Sequence, residues 1–306
     1  MEISLLLMQQ IAQLFLILIM GYAVVKAGLL KASDSRVLSV VMVYLVTPCV
    51  IINAFQIDDT PEIRKGLLYS MAIAAAIHVV LLVLSALLSR PLKLDAVEQV
   101  NVIYSNAAAL VIPLVKALMG DAYVIYSCAF IIVQLVLLWT HASSLLQGSS
   151  ALDWKKVLTN INMIAIAAGA LLYWFRVVLP APLQNTMSTV GNMMGPMGML
   201  LAGMAIAEKP LREVFCTRRN YLPTVLRLVV CPLVVLVLLW VCHASSWVAD
   251  GKNILMTVYL AAITPACATV TSMAQLYDRD AAHSSALYVL TLSLIHISEP
   301  TRQAEI

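Results

Sequence analysis

Charge is what this sequence has least of. Only 11% of its 306 residues are Asp, Glu, Lys or Arg, against 62% hydrophobic, and the mean hydropathy is +0.93. Soluble domains run at roughly 25% charged and about 45–50% apolar, so a water-soluble fold is excluded. A net charge of +3 spread thinly along the chain leaves no footprint for nucleic acid. The six cysteines (Cys49, Cys128, Cys216, Cys231, Cys242 and Cys267) lack any short paired spacing. They read as small apolar residues, not as a disulfide or zinc framework. A phosphate-cradling glycine loop is missing, which argues against ATP-driven chemistry within the chain. So are a nucleophile–base arrangement and a metal-ligand cluster; neither enzymatic activity nor a resident cofactor is expected. Lys and Arg are also missing ahead of the first apolar stretch, where Met1–Leu7 carries Glu2, so that stretch reads as a span and not as a cleaved leader.

What the chain does have is long apolar runs. A window of about 19 residues gives ten: Ile3–Ala27, Leu38–Gln56, Leu67–Ser89, Val100–Met119, Tyr123–Leu146, Val157–Leu179, Met187–Ala207, Tyr221–His243, Asn253–Gln275 and Ala281–Ile295. The gaps between them are too short for a soluble domain, so the expected fold is an all-α polytopic protein in a lipid bilayer. Twelve Lys and Arg follow odd-numbered spans, among them Lys31, Arg90, Lys155, Arg218 and Arg219, and five follow even-numbered ones. By the positive-inside rule the odd side is cytoplasmic and the N-terminus lies outside. Trp139, Trp174, Trp240 and Trp247 fall near span ends, where interfacial anchors are expected.

The two halves resemble each other. Leu45-Val46-Thr47-Pro48-Cys49 in span two matches Met193-Met194-Gly195-Pro196-Met197 in span seven, its proline 148 residues on. Leu110-Val111-Ile112-Pro113-Leu114 in span four matches Ala262-Ile263-Thr264-Pro265-Ala266 in span nine, 152 residues on. Five spans per half is an odd number, so the expected architecture is two inverted five-helix repeats, residues 1–147 and 148–294, with helices four and nine broken at Pro113 and Pro265. Proline removes a backbone hydrogen bond, and in lipid the freed groups are tolerated only where they are buried in protein or line a cavity. Asn106, two turns before Pro113, can donate to an anion without bringing a charge into the bilayer, or equally bind a neighbouring helix. Span two adds Asn53. Gly191, Gly195, Gly198 and Gly203 read as a packing seam.

Ionisable groups inside spans are few. His78 in span three is the candidate for carrying a proton during transport, with a packed neutral histidine as the bland alternative. Arg227 in span eight reads as a side chain whose stem reaches the interface.

Taken in order, Tyr44-Leu45-Val46-Thr47-Pro48, the run from Asn106 to Pro113, Gly120-Asp121 and Ala261-Ala262-Ile263-Thr264-Pro265 resemble the auxin efflux carrier family. Its bacterial members include malonate- and malate-type permeases, and its fold is similar to that of bile acid:sodium symporters. The resemblance implies a site where helices four and nine cross, carried on an elevator-like unit. On this sequence it places the substrate at Asn106, Pro113 and Pro265, with Asn53 as a weaker neighbour. It implies a secondary transporter of small organic anions, mono- or dicarboxylates such as malonate or malate, in a bacterial-type inner membrane, with H+ or Na+ as coupling ion and a homodimer as the assembly. A non-transporting anion sensor or scaffold is the alternative. Plant members carry an acidic–basic pair in span three, where this chain has only His78. Residues 295–306, with His296-Ile297-Ser298-Glu299-Pro300-Thr301-Arg302, read as a non-native tail without function.

Overall fold

The computed structural model describes residues 2–56, 60–148, 158–208, 210–243, 246–248 and 250–298. Within them the chain is helical nearly throughout, with no strand. Helix α1 is Glu2–Lys26, α2 Ala32–Ala54, α3 Pro61–Ser89, α4 Ala96–Ile103, α5 Ala107–Met119, α6 Val124–Gln147 and α7 Ile161–Trp174. Then come α8 Ala181–Ile206, α9 Leu211–Cys216, α10 Arg218–Val241, α11 Gly251–Ile263, α12 Ala268–Leu276 and α13 Ala281–Ser298. Five of these, α2, α3, α6, α8 and α10, are long and apolar enough to cross a membrane unaided. The tail from 299 onward lies outside the described residues.

Local signals set the helix ends. Thr60 caps α3 by accepting the Ile63 N–H (3.3 Å), with Pro61 in the first turn. Asp95 and Glu98 form a reciprocal capping box at the start of α4, at 2.8 and 2.9 Å. Gly148 closes α6 in the left-handed region, φ +70°, which its missing Cβ permits.

Two interruptions organise the interior. Helix α4 has eight residues and α5 thirteen. At 1.5 Å per residue they span roughly 12 and 20 Å, so neither alone crosses a hydrocarbon layer of about 30 Å, while the two end to end do. Helices α11, thirteen residues, and α12, nine, repeat the arrangement. The second break falls at Pro265 as the sequence predicts. The first does not fall at Pro113, which lies in the interior of α5. It lies at Tyr104–Asn106, ahead of the helix.

Among the described residues, three helices also carry a widened π turn, at Met42–Val46 in α2, Leu138–Ala142 in α6 and Leu226–Val230 in α10. Such turns open the i to i−4 ladder and concentrate at functional places. Helix α8 breaks at Asn192–Met193.

The largest cluster of buried side chains joins α3, α4, α6 and α11 around Ile77, Tyr104, Phe130 and Trp139. A second joins α1, α8 and α13 through Leu18, Met199 and Tyr288. Trp174, Trp240 and Trp247 are exposed, as anchors should be, but Trp139 is fully buried in the widened turn of α6 and anchors nothing at an interface.

Helices α1 and α8 meet backbone to backbone. A Cβ on Gly203 would strike the Leu18 carbonyl and Tyr22 amide of α1, and one on Gly21 the Leu200 carbonyl of α8. Close approach through small residues is how helices gain packing energy in lipid. Gly203→Val should therefore cost about 3 kcal/mol through overpacking against immovable backbone. The check is the melting temperature of the purified protein in detergent, and an unchanged value would contradict the close approach.

Candidate functional site

The two breaks cross. Extended residues Tyr104–Asn106 and Thr264–Cys267 run antiparallel, with Ser105 paired to Ala266. The Asn106 N–H donates to the Pro265 carbonyl (2.9 Å) and the Cys267 N–H to the Tyr104 carbonyl (3.1 Å). The pairing is 161 residues apart, so Pro265 stands opposite the level of Tyr104–Asn106, while Pro113 lies seven residues further along, inside α5.

No proline forces the first break; side chains from elsewhere do. Gln134 on α6 accepts from the Ser105 N–H (3.0 Å) and Oγ–H (2.7 Å) through its Oε1, and donates through Nε2 to the Ser105 carbonyl (2.8 Å). One amide thus takes over the backbone bonds a continuous helix would have made. On the opposite strand, the Ala266 N–H donates to Thr291 Oγ1 of α13 (3.2 Å).

Arg227 does the same for the helix ends. Its side chain turns inward, against the snorkelling expectation, and is 1% exposed. Nε donates to the Thr264 carbonyl (3.0 Å), Nη2 to those of Ala262 (2.5 Å) and Thr264 (2.7 Å), and Nη1 to those of Val102 and Ile103 (3.2 Å each). These carbonyls belong to the C-terminal ends of α4 and α11. Such ends carry partial negative charge and otherwise leave carbonyls without partners. A guanidinium in a fork geometry answers both at once.

Beside the crossing lies a cleft with room for about one water molecule. Asn106, Cys267, Ala268 and Thr269 line it from the crossover side and Gln134 from α6, while Met42 of α2 and Met194 and Gly195 of α8 face them. Two of the widened turns line the cleft, through Met42 and Leu138, and Arg227, in the third, reaches the helix ends at the crossover instead. The N-terminus of α12 opens onto it. Asn106 is 4% exposed, and its Nδ2 has no hydrogen-bond partner among the described residues. A buried donor without a hydrogen bond costs about 1–3 kcal/mol; the Tyr288 hydroxyl of α13 is one neighbour of this amide, and the cleft that Asn106 lines is the other place from which a partner can come.

Of the residues singled out in the sequence, the fold brings Asn106 and Pro265 together. Asn53 is not among the described residues lining the cleft. Asn53 is half-buried in the last turn of α2, eleven residues beyond Met42. His78 is fully buried against Phe130, ring centroids 4.8 Å apart, with Tyr104 at 6.3 Å. Its Nδ1 lies 2.7 Å from the Ala74 carbonyl on its own helix, which fixes the proton on Nδ1, and Nε2 makes no well-formed hydrogen bond among the described residues, with the Gln134 amide as a neighbour of the ring. Gln134 and Arg227 were not legible as site residues. The one available signal was a lone cation amid the apolar run Leu226–Val230.

Away from the crossover, an ion pair ties the start of α4 to α10 and α13. Arg219 grips both Glu98 oxygens, Nε to Oε1 at 2.7 Å and Nη2 to Oε2 at 2.6 Å, and also donates to the Leu92 and Lys93 carbonyls. Asp95, Glu98 and His283 offer ligand atoms within 4.8 Å of one another, but the Glu98 oxygens already answer a guanidinium. Burial alone would push the Glu98 carboxyl up; hydrogen bonds from His283, Arg219 and the Asp95 amide outweigh it and hold the group down at about 2. A folded value below the ordinary 4.5 stabilises the fold above that pH, and the gain is lost as pH falls from there towards about 2. The melting temperature should therefore drop over that acid window, and Glu98→Gln should lower it at neutral pH and flatten the drop. An equally steep acid drop in Glu98→Gln would assign the effect to other carboxylates.

A family model described as Membrane transport protein matches residues 6–153 and again residues 149–301. Among curated proteins nothing matches.

Proposed function

Starting from a chain that belongs to the membrane transport protein family, we propose a secondary transporter that carries small organic anions across a bacterial-type inner membrane by alternating access. In this reading the anion rests beside the crossover, against the N-terminal ends of α5 and α12. The observation that carries it is the buried, unpartnered Nδ2 of Asn106 in a cleft onto which a helix N-terminus opens. Helix N-termini present free N–H groups and partial positive charge to anions, and an amide adds a donor without a buried charge.

The proposed frame is ten spans in two inverted halves, with the N-terminus outside. Packing supports it, because neighbours recur five spans apart. Helix α1 packs on α8 as α7 does on α2; α3 packs on α6 as α10 does on α13; α5 packs on α6 as α12 does on α13. The cleft also lies where α2 and α8 meet the crossover helices. A cleft with room for about one water is too small for a carboxylate. Sliding of the crossover unit against α1, α2, α7 and α8 is the motion that would open it to one side at a time.

The test is counterflow in proteoliposomes with a panel of mono- and dicarboxylates, at two pH values, with and without sodium. Saturable exchange is expected. A variant retaining only Cys267, which lines the cleft, should be labelled by a small thiol reagent more slowly when a transported anion is present. Protection without flux would favour the sensor reading, and neither protection nor flux would remove the anion site.

A further inference from the structure

Arg227 does more than close hydrogen bonds. It holds a permanent positive charge, and none of the ion pairs among the described residues includes it. Its counter-charge is instead the pair of helix C-termini it grips, Val102–Ile103 of α4 and Ala262–Thr264 at the end of α11. Each such end carries roughly half a negative charge, so the two together balance one guanidinium. Carbonyls converging from unwound helix ends are also what a metal cation uses in a broken-helix transporter. Here that place is filled by the protein itself.

The remaining charge then follows by difference. Helices α5 and α12 point N-terminal ends at the crossover, each with roughly half a positive charge, and among the described residues no Lys, Arg, His, Asp or Glu lines the cleft. The uncompensated total is close to one positive charge. A second negative charge on the cargo would face Met42, Ile131, Leu135, Leu138 and Met194, where an unpaired charge is costly.

We propose that Arg227 is the resident cation of the crossover, occupying the carbonyl-lined place that a metal ion would take, and that it thereby sets the cargo to a single negative charge. The second half of this rests on the anion reading above; the first half does not. A monocarboxylate is carried as it stands. A dicarboxylate is carried only in its singly protonated form, so its uptake falls about tenfold for each pH unit above its second pKa, while monocarboxylate uptake stays level. Sodium is not required.

Uptake and melting temperature together test this. In the wild type, exchanging sodium for choline should change uptake less than about twofold, and dicarboxylate uptake should show the pH fall. Arg227→Ala should lose at least about tenfold in uptake. Guanidinium chloride at low millimolar concentration should restore several-fold of it and raise the variant's melting temperature. Tetramethylammonium at the same ionic strength should do neither, and the wild type should respond to neither salt. Arg227→Lys should keep the preference for one negative charge at a reduced rate; it carries the test if Arg227→Ala does not fold. Wild-type uptake and unchanged charge preference in Arg227→Ala would overturn the proposal. So would a folded Arg227→Ala that guanidinium neither stabilises nor restores, or dicarboxylate uptake independent of pH. If no carboxylate is carried even by the wild type, the anion reading falls, and the guanidinium-dependent melting of Arg227→Ala still decides whether Arg227 is a resident cation.

Discussion

Asn106→Asp is expected to reduce anion uptake by at least about a hundredfold while leaving the protein folded. The two side chains have the same shape, so the 4% exposed position is not repacked. What changes is that a donor becomes a negative charge beside the place proposed for the cargo. Two like charges about 5 Å apart at an effective dielectric near 20 repel by roughly 3 kcal/mol, a factor of over a hundred in binding. Asn106→Ala removes the donor without adding a charge. It should cost about 1.5–3 kcal/mol, the worth of a hydrogen bond to a charged partner, or roughly ten- to a hundredfold. Asp below Ala in uptake, with both melting temperatures close to that of the wild type, indicates an anion site; a matching fall in the melting temperature of the Asp variant would assign its loss to the cost of burying a carboxylate. Initial uptake rates at matched incorporation, with melting temperatures alongside, supply the measurement. Equal rates in wild type and both variants would take Asn106 out of the site.

Which parts of this arrangement the sequence disclosed depends on how far apart the causes lie along the chain. Apolar runs are local, and the helices formed where the runs stand. Pro265 is also a local instruction, and the second half unwinds there. The first half unwinds at Tyr104–Asn106, where no residue is a helix breaker; the instruction comes from Gln134, about thirty residues on, and from Arg227, more than 120 residues on. Neither contact has a sequence signature. The proline match between halves is therefore misleading in register: it pairs Pro113 with Pro265, while the bridge pairs Ser105 with Ala266. Arg227 shows the same limit. Its position two turns inside an apolar run is readable, but whether the stem reaches for water or for carbonyls is settled by what the neighbouring helices leave unpaired. Glu98 is a third case. It stands between the apolar runs Leu67–Ser89 and Val100–Met119, yet it is 1% exposed, because Arg219 from the other half of the chain closes over it.

The same reasoning makes Gln134 the side chain on which the first break depends most. Ser105 offers an N–H, a hydroxyl and a carbonyl to it, at 3.0, 2.7 and 2.8 Å, and Ser105 is 1% exposed. Gln134→Leu has similar bulk and no polar atoms, so it strands the N–H and carbonyl in an apolar interior. At about 1–3 kcal/mol for each stranded group, the expected loss of stability is about 3 kcal/mol or more, with uptake lost as the crossing strands loosen. Gln134→Glu separates support from charge. Its carboxylate still accepts from the Ser105 N–H and hydroxyl but cannot donate to the carbonyl, and it buries a charge, so it should also melt below the wild type. Because Gln134 also lines the cleft, that carboxylate should repel an anionic cargo and abolish uptake. Melting temperatures of both variants below the wild type, with uptake absent from both, would tie the unwinding of helix four to this one amide. A Leu variant that melts and transports like the wild type would mean that Arg227 and the opposite strand hold the break open without it.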